Sequence, residues 1–214
     1  VYAFELLLAA DPDPDPTLSL PRRHVTTVGS RVLHRGDTVD VRAEAGVQLQ
    51  GADGADLQVA YHADVEVGVR VGSRFRVSAE ASYASGARGS RGAAWNQLFP
   101  TAHKFLGFAD IIGGRSNVVS GVLHAWASLA DGVGANLDVH VFARPEGATS
   151  GYQGLEADAG LAWTIGRGLV LRGLYCLFVP AEDAFGTTTP AHFAELELRY
   201  TLAPPPPVVP AAGR

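Results

Sequence analysis

The chain has one cysteine, one lysine and no methionine in 214 residues. The single cysteine, Cys176, excludes an intrachain disulfide and any zinc site built from several cysteines. No uncharged apolar run reaches the roughly eighteen residues that a transmembrane helix needs. The formal net charge of −5 at pH 7 argues against nucleic acid as a partner, because such binding depends on neutralised phosphates. A soluble domain and a membrane protein built from strands both remain open, since only every second residue of such a strand faces lipid.

Strict alternation of apolar and polar residues is the strongest pattern in the chain. Within 39–49 every odd position holds valine, alanine or leucine, whereas the even positions include Arg42. Within 57–71 the odd positions are aliphatic apart from one tyrosine, whereas the even positions include Asp64 and Glu66. Because a strand turns successive side chains to opposite faces, each segment has one apolar and one ionic face. A helix would scatter these charges around its circumference, so the pattern predicts strands.

The same alternation predicts about ten strands, most of them about ten residues or longer. Their approximate bounds are 1–10, 24–35, 37–50, 56–71, 74–85, 117–130, 134–144, 154–165, 168–179 and 192–202. Soluble sheets favour strands of about five or six residues, whereas tilted transmembrane strands need about nine to eleven. The breaks alternate between tight glycine-bearing turns and longer loops, which is typical of outer-membrane barrels with periplasmic turns and extracellular loops.

We therefore predict an all-β fold, an antiparallel up-and-down transmembrane β-barrel that spans 1–202, is incomplete at its N-terminus and belongs to a larger barrel. The soluble alternative is a β-sandwich or a lipocalin-like barrel, which also alternates. In that case the apolar face would be a packed core of leucine, isoleucine and phenylalanine. Residues 203–214 are proline-rich and cannot continue a ladder, because proline has no N–H, so we expect a tail beyond the last strand.

The longest break, 86–116, is too apolar for a solvated loop. Five of its residues are expected to pack at the barrel mouth or against the inner wall: Leu98, Phe99, Pro100, Phe105 and Phe108. Four polar residues would then be presented to a water-filled passage: His103, Lys104, Asp110 and Arg115.

The stretch from Leu98 to Asp110 resembles the hallmark L-F-P-T-x-H-K-x-x-G-x-x-D of the alginate-export family of bacterial outer-membrane barrels. The matching positions are Leu98, Phe99, Pro100, Thr101, His103, Lys104, Gly107 and Asp110. Downstream, 154–158 resembles a G-x-E-x-D strand opening, and 174–178 resembles the aromatic strand that follows. The likeness covers the later part of the family domain, whose complete barrels have more strands. It therefore implies a truncated chain or a shortened relative that closes differently.

The resemblance implies an outer-membrane channel for passive passage or export of a polar, anionic solute or polysaccharide. Its partners would be the lipid bilayer with its lipopolysaccharide and the solute itself. For His103 and Lys104 two interpretations remain open. The pair is either a gating or anion-contacting element, or a packing motif that ties the loop to the barrel wall.

Several arginines fall on the ionic, lumen-facing side by strand parity: Arg42, Arg70, Arg74, Arg76, Arg144, Arg172 and Arg199. A ladder of arginines would attract a polyanion along the pore. The same faces carry carboxylates such as Asp40, Asp64 and Glu66, so ordinary cross-strand pairing is the alternative. Because arginines do not outnumber carboxylates on these faces, the expectation of an alginate-like substrate depends on the resemblance alone.

No motif for catalysis, cofactor binding or metal binding stands out. The repeat of aspartate and proline in 11–16 fits a solvated loop better than a calcium site. His62, His124 and His140 lack partners at metal-ligand spacing, and Cys176 has no local base. We therefore predict no enzymatic activity, no cofactor and no metal. The alternatives to a channel are a structural or adhesive barrel plugged by its long loop, and an outer-membrane hydrolase with serine and histidine at one rim.

Overall fold

The computed structural model describes residues 2–8, 23–52, 56–87, 92–97, 106–147, 151–166 and 168–202, so the predicted tail lies outside the described residues. The strands are β1 (Tyr2–Leu8), β2 (Arg23–Arg35), β3 (Val39–Ala52), β4 (Gln58–Val71), β5 (Phe75–Ala84), β6 (Val118–Ala130), β7 (Val133–Arg144), β8 (Gly151–Gly166), β9 (Leu169–Pro180) and β10 (Ala191–Tyr200). One short helix, α1 (Glu182–Phe185), lies between β9 and β10. Within the described part of the chain, no helix has the length and apolar character needed to span a bilayer.

The ten strands form one antiparallel sheet in which each strand pairs with its neighbours in sequence. Successive connections therefore lie at opposite ends of the strands. The short connections after β2, β4, β6 and β8 lie at one end, which we call the turn end. The longer connections lie at the other, which we call the loop end. No ladder joins the described residues of β1 to those of β10, so the sheet is not closed.

The antiparallel, up-and-down, all-β part of the prediction is confirmed, including the alternation of short and long connections. Some details differ. β8 begins at Gly151, earlier than predicted, because a bulge opposite Phe142 and Ala143 lets the ladder continue. Arg74 lies in the turn between β4 and β5 rather than on a strand. The helix α1 was not predicted, and a left-handed Gly186 ends it.

The two faces of the sheet differ in composition and in exposure. The apolar face, which carries Val65 and Leu123, is exposed, and Leu123 keeps 64% of its surface accessible. On β3, β4 and β5 the ionic face, which carries Arg42, Asp64 and Glu80, is buried or half-buried, and Arg42 keeps only 7%. Along much of β4 and β5 exposed and buried residues alternate. Soluble domains usually show the reverse, because burial favours apolar side chains and penalises charged ones.

A hydrophobic cluster covers the ionic face at the loop end. Its members on the strands are Ala60, Ala84, Val118, Phe142 and Phe178. Its other members are Ala93, Trp95, Leu106 and Ile112, from the long connection between β5 and β6. The described parts of this connection therefore fold over the ionic face. In β8, most residues beyond Asp158, towards the turn end, are exposed.

Candidate functional site

Arg42, in β3, is the centre of an ion-pair network on the ionic face. Its guanidinium contacts Asp64 and lies 2.7 Å from Glu80 and 3.4 Å from Glu66. The ladders place Arg42 opposite Glu66 of β4, and Glu66 opposite Glu80 of β5. Alternation thus brings these side chains to one face, and the register brings them into contact. A guanidinium suits this position because its planar set of N–H donors can serve several carboxylates at once.

The network continues from Arg42 towards the turn end. Arg76 of β5 donates hydrogen bonds to Asp40 of β3 and, at 2.8 Å, to Glu66. Arg70 of β4 lies 3.3 Å from the same Asp40. These side-chain contacts connect β3, β4 and β5, three strands that are also joined by their backbone ladders.

The network also continues across the sheet to β7. His124 of β6 lies 3.7 Å from Glu80 and 2.7 Å from Asp138 of β7. The amide of Asn136 donates to the other oxygen of Asp138 at 3.1 Å. A continuous set of polar contacts therefore crosses the ionic face from β3 to β7.

The predicted lumen-facing arginines are held mainly in ion pairs. Arg42, Arg70 and Arg76 bind carboxylates within the network, and Arg172 lies 3.2 Å from Glu197 of β10. These contacts fit the cross-strand pairing alternative better than a ladder of free positive charge. Arg199 is exposed and lies 2.9 Å from the same Glu197. Arg74 and Arg144 are also exposed.

The β5–β6 connection is attached to β3 and β4 by hydrogen bonds. The side-chain amide of Gln48 donates to the carbonyl of Asn96 at 2.7 Å and accepts its N–H at 2.9 Å. Arg115 donates to Asp64 at 3.2 Å, and both side chains are buried. Arg115, which was predicted to face a passage, therefore closes the network from the loop side.

A second attachment joins the same connection to β8. The backbone N–H of Phe108 donates to Asp158 at 3.2 Å, and that of Ala109 donates to Glu156 at 2.8 Å. Gly107 has a φ of 81°, and a Cβ at this position would collide with the carboxylate of Glu156. The two sequence segments that resemble the family motifs are therefore in direct contact.

Three of the predicted loop residues lie in the described part of the chain. Phe108 is half-buried beside a cavity of about 90 Å³, whereas Asp110 is exposed and has a φ of 55°. Arg115 belongs to the network. The others lie outside the described residues: Leu98, Phe99, Pro100, His103, Lys104 and Phe105. Their packing, and the two interpretations of the His–Lys pair, stay predictions.

Glu156, Asp158 and Cys176 form a second polar cluster beneath the connection. All three are 0% exposed, and one ligand atom from each lies within 4.8 Å of the others. The Nε2 atom of His140, in β7, lies 3.4 Å from Asp158. The sequence pattern does not predict this cluster. Alternation put the two carboxylates on the ionic face, but only the ladder that pairs Asp158 with Cys176 brings the thiol to them.

Comparison with known proteins adds no assignment, because no protein-family model and no curated protein matches the chain. The resemblance to the alginate-export family therefore rests on the motif residues themselves. Within the described residues, the N–H groups of Phe108 and Ala109 bind Asp158 and Glu156 and hold this part of the connection against β8.

Replacing Arg42 with methionine keeps the aliphatic stem but leaves Asp64, Glu66 and Glu80 without their shared cation. Breaking a buried ion pair costs about 3–5 kcal/mol, so we expect the free energy of unfolding, measured by urea denaturation, to fall by about that amount. Arg172→Met is the matched control, because its ion pair is largely exposed and exposed pairs contribute little. Equal losses in the two variants would contradict the central position of Arg42.

Replacing Gly107 with alanine should detach the connection from β8. An alanine at positive φ costs about 1–2 kcal/mol, and here its Cβ also collides with Glu156. Gly113→Ala is the control, because Gly113 has a φ of 79° but open space around it. We expect amide hydrogen exchange at Phe108 and Ala109 to accelerate in the first variant only. Similar exchange in both variants would mean that the contact with Glu156 does not hold the connection.

Proposed function

We propose that the chain is part of a bacterial outer-membrane β-barrel that forms a passive channel for polar solutes. The observation that carries the proposal is the reversed arrangement of the faces, with aliphatic side chains exposed and charged side chains buried in ion pairs. In a bilayer the apolar face would contact lipid tails, and the ionic face would turn to the barrel interior. In water, the exposed apolar face would be unfavourable by about 25 cal/mol per Å².

Aromatic residues on the apolar face support this orientation. Tyr61 and Tyr83 lie towards the loop end, with their rings stacked 5.6 Å apart. Trp163 and Tyr200 lie at the turn end and are exposed. Tyrosine and tryptophan are enriched at both membrane interfaces. Strands such as β4, with 14 residues, exceed the about nine to eleven that a tilted span requires.

A sheet in a membrane must be closed, because the hydrocarbon region offers no water to the polar groups of a free edge. The proposed barrel therefore requires a partner for the outer edges of β1 and β10. Further strands would supply it in a larger barrel, as the family resemblance implies. In a shortened relative the two edges would meet each other.

The proposed passage runs along the ionic face, and the β5–β6 connection narrows it. At the loop end Trp95 packs on His62, with 4.2 Å between the ring centroids. A cavity of about 90 Å³ remains beside Phe108, where Arg172 and Glu197 contribute to its wall. Because ion-paired side chains line the proposed passage, its wall would be polar and would favour polar solutes. Preference for an anionic solute or a polysaccharide, and membership of the alginate-export family, are proposed from the motif resemblance.

A barrel plugged by its own loop, with a structural or adhesive role, is the second candidate. The hydrophobic cluster that includes Trp95, Leu106 and Ile112 favours it, because this cluster covers the ionic face at the loop end. Such a plug would interrupt the water path. The long connections at the loop end would then be the parts that contact a partner.

Leu123 and Leu57 provide a test of membrane placement. Leu123 lies in the middle of β6 on the apolar face, and an arginine there should oppose folding into lipid vesicles by about 2–4 kcal/mol. Leu57, also exposed, lies just before β4 at the loop end, where an arginine would reach the interface and cost much less. Urea titration of the protein folded into lipid vesicles measures the free energy of unfolding of both variants. In a soluble protein the two variants would be tolerated alike, which would contradict the proposal.

Planar-bilayer recording with the purified protein tests transport. We expect discrete steps of passive current, and larger steps in Gly107→Ala, because the detached connection would widen the passage. The reversal potential in a salt gradient reports whether anions are preferred. A protein that folds into vesicles but carries no current would favour the plugged candidate. A protein that does not fold into vesicles would contradict the barrel itself.

A further inference from the structure

The cluster of Glu156, Asp158 and Cys176 has buried oxygens without hydrogen-bond partners. The two carboxylates are 0% exposed, yet Oε2 of Glu156 and Oδ1 of Asp158 have no partner in the described part of the chain. Nδ1 of His140 is likewise buried without a partner. A buried carboxylate oxygen that loses its hydrogen bonds to water without gaining others strongly destabilises the folded state. The arrangement therefore points to an additional cation or proton.

The ion-pair network shows how this protein otherwise accommodates buried carboxylates. Asp64, also buried, receives two guanidinium groups, from Arg42 and Arg115. Around Glu156 and Asp158, by contrast, the described residues supply two backbone N–H groups, the imidazole of His140 and the thiol of Cys176. No arginine in the described ranges forms an ion pair with either carboxylate. Among the described residues, these two carboxylates therefore have no permanent cation beside them.

We propose that Glu156, Asp158 and Cys176 bind one divalent cation of the zinc class. The ligand atoms lie within 4.8 Å of one another, and a shared cation would draw them closer together. Zn²⁺ accepts both thiolate sulfur and carboxylate oxygen, and a site with three protein ligands leaves the fourth tetrahedral position for water, as in open zinc sites. Calcium and magnesium prefer six or more oxygens, several of them from water, and a thiolate is a poor ligand for both.

His140 supports such a site from the adjacent strand. Its imidazole lies against Asp158 and orients that carboxylate, as partners of metal ligands commonly do. The same carboxylates accept the N–H groups of Phe108 and Ala109, so a bound cation would also fix the connection to β8 and β9. Because a thiol must lose its proton to bind zinc, uptake should release protons and weaken as the pH falls.

A proton shared between the two carboxyl groups is the competing occupant. It would satisfy the unpartnered oxygens and leave Cys176 as a thiol. Stoichiometric metal binding with a sulfur–metal bond therefore distinguishes the two. The proposal does not depend on transport, so it is tested on the purified, folded chain whether or not that chain conducts.

Titration with Co²⁺, a coloured substitute for Zn²⁺, tests the site. We expect one equivalent to bind with a thiolate-to-cobalt charge-transfer absorption in the near ultraviolet, and Zn²⁺ to displace it. Cys176→Ser should remove this absorption, and Glu156→Gln should weaken binding by more than about tenfold. Glu44→Gln, a carboxylate of the same face in β3, is the matched control and should bind as the parent does. Absent binding, or an equal loss in the control, would overturn the proposal.

X-ray absorption at the zinc edge provides a measurement that needs no variant. In the unaltered protein loaded with one equivalent of Zn²⁺, we expect one sulfur at about 2.3 Å and lighter atoms at about 2.0–2.2 Å. A shell of light atoms alone would overturn the proposal. Zinc that is lost on desalting would also overturn it, and would assign the cluster to the shared proton.

Discussion

A charged side chain that leaves water must meet an opposite charge or hydrogen-bond partners, and this requirement organises the ionic face of the sheet. Arg42 meets it by contacting carboxylates on two neighbouring strands, and Arg76 and His124 extend the contacts to either side. Since a slip of one residue in a ladder would turn these charges to the apolar face, the network also specifies the register. The strands and their charges therefore stabilise one another.

The long connection between β5 and β6 depends on the same face. It is held at β3 by Gln48, at β4 by Asp64 and at β8 by Glu156 and Asp158, with hydrophobic residues packed between these points. Polar side chains thus serve as attachment points for backbone groups that have no ladder of their own. In the proposed barrel, conduction would depend on how much of the ionic face the connection leaves uncovered.

The two polar clusters differ in how the negative charge of their buried carboxylates is balanced. In the network around Arg42, guanidinium groups are permanent cations, so the charges are balanced within the chain. In the cluster around Glu156, the described residues supply no guanidinium, and the proposed balancing charge is a bound ion, which would make occupancy dependent on conditions. Because Asp158 and Glu156 also accept the N–H groups of Phe108 and Ala109, the occupancy of this cluster would influence how firmly the connection is held.

The sequence by itself determined the strands, their two faces and the alternation of short and long connections. Each of these depends on neighbours in the chain: alternation with period two sets the faces, and glycine-bearing turns set the breaks. It did not determine which arginine meets which carboxylate, where the connection lies, or that Cys176 joins Glu156 and Asp158. Those contacts join residues far apart in sequence, and only strand register and the folding of the connection over the sheet bring them together.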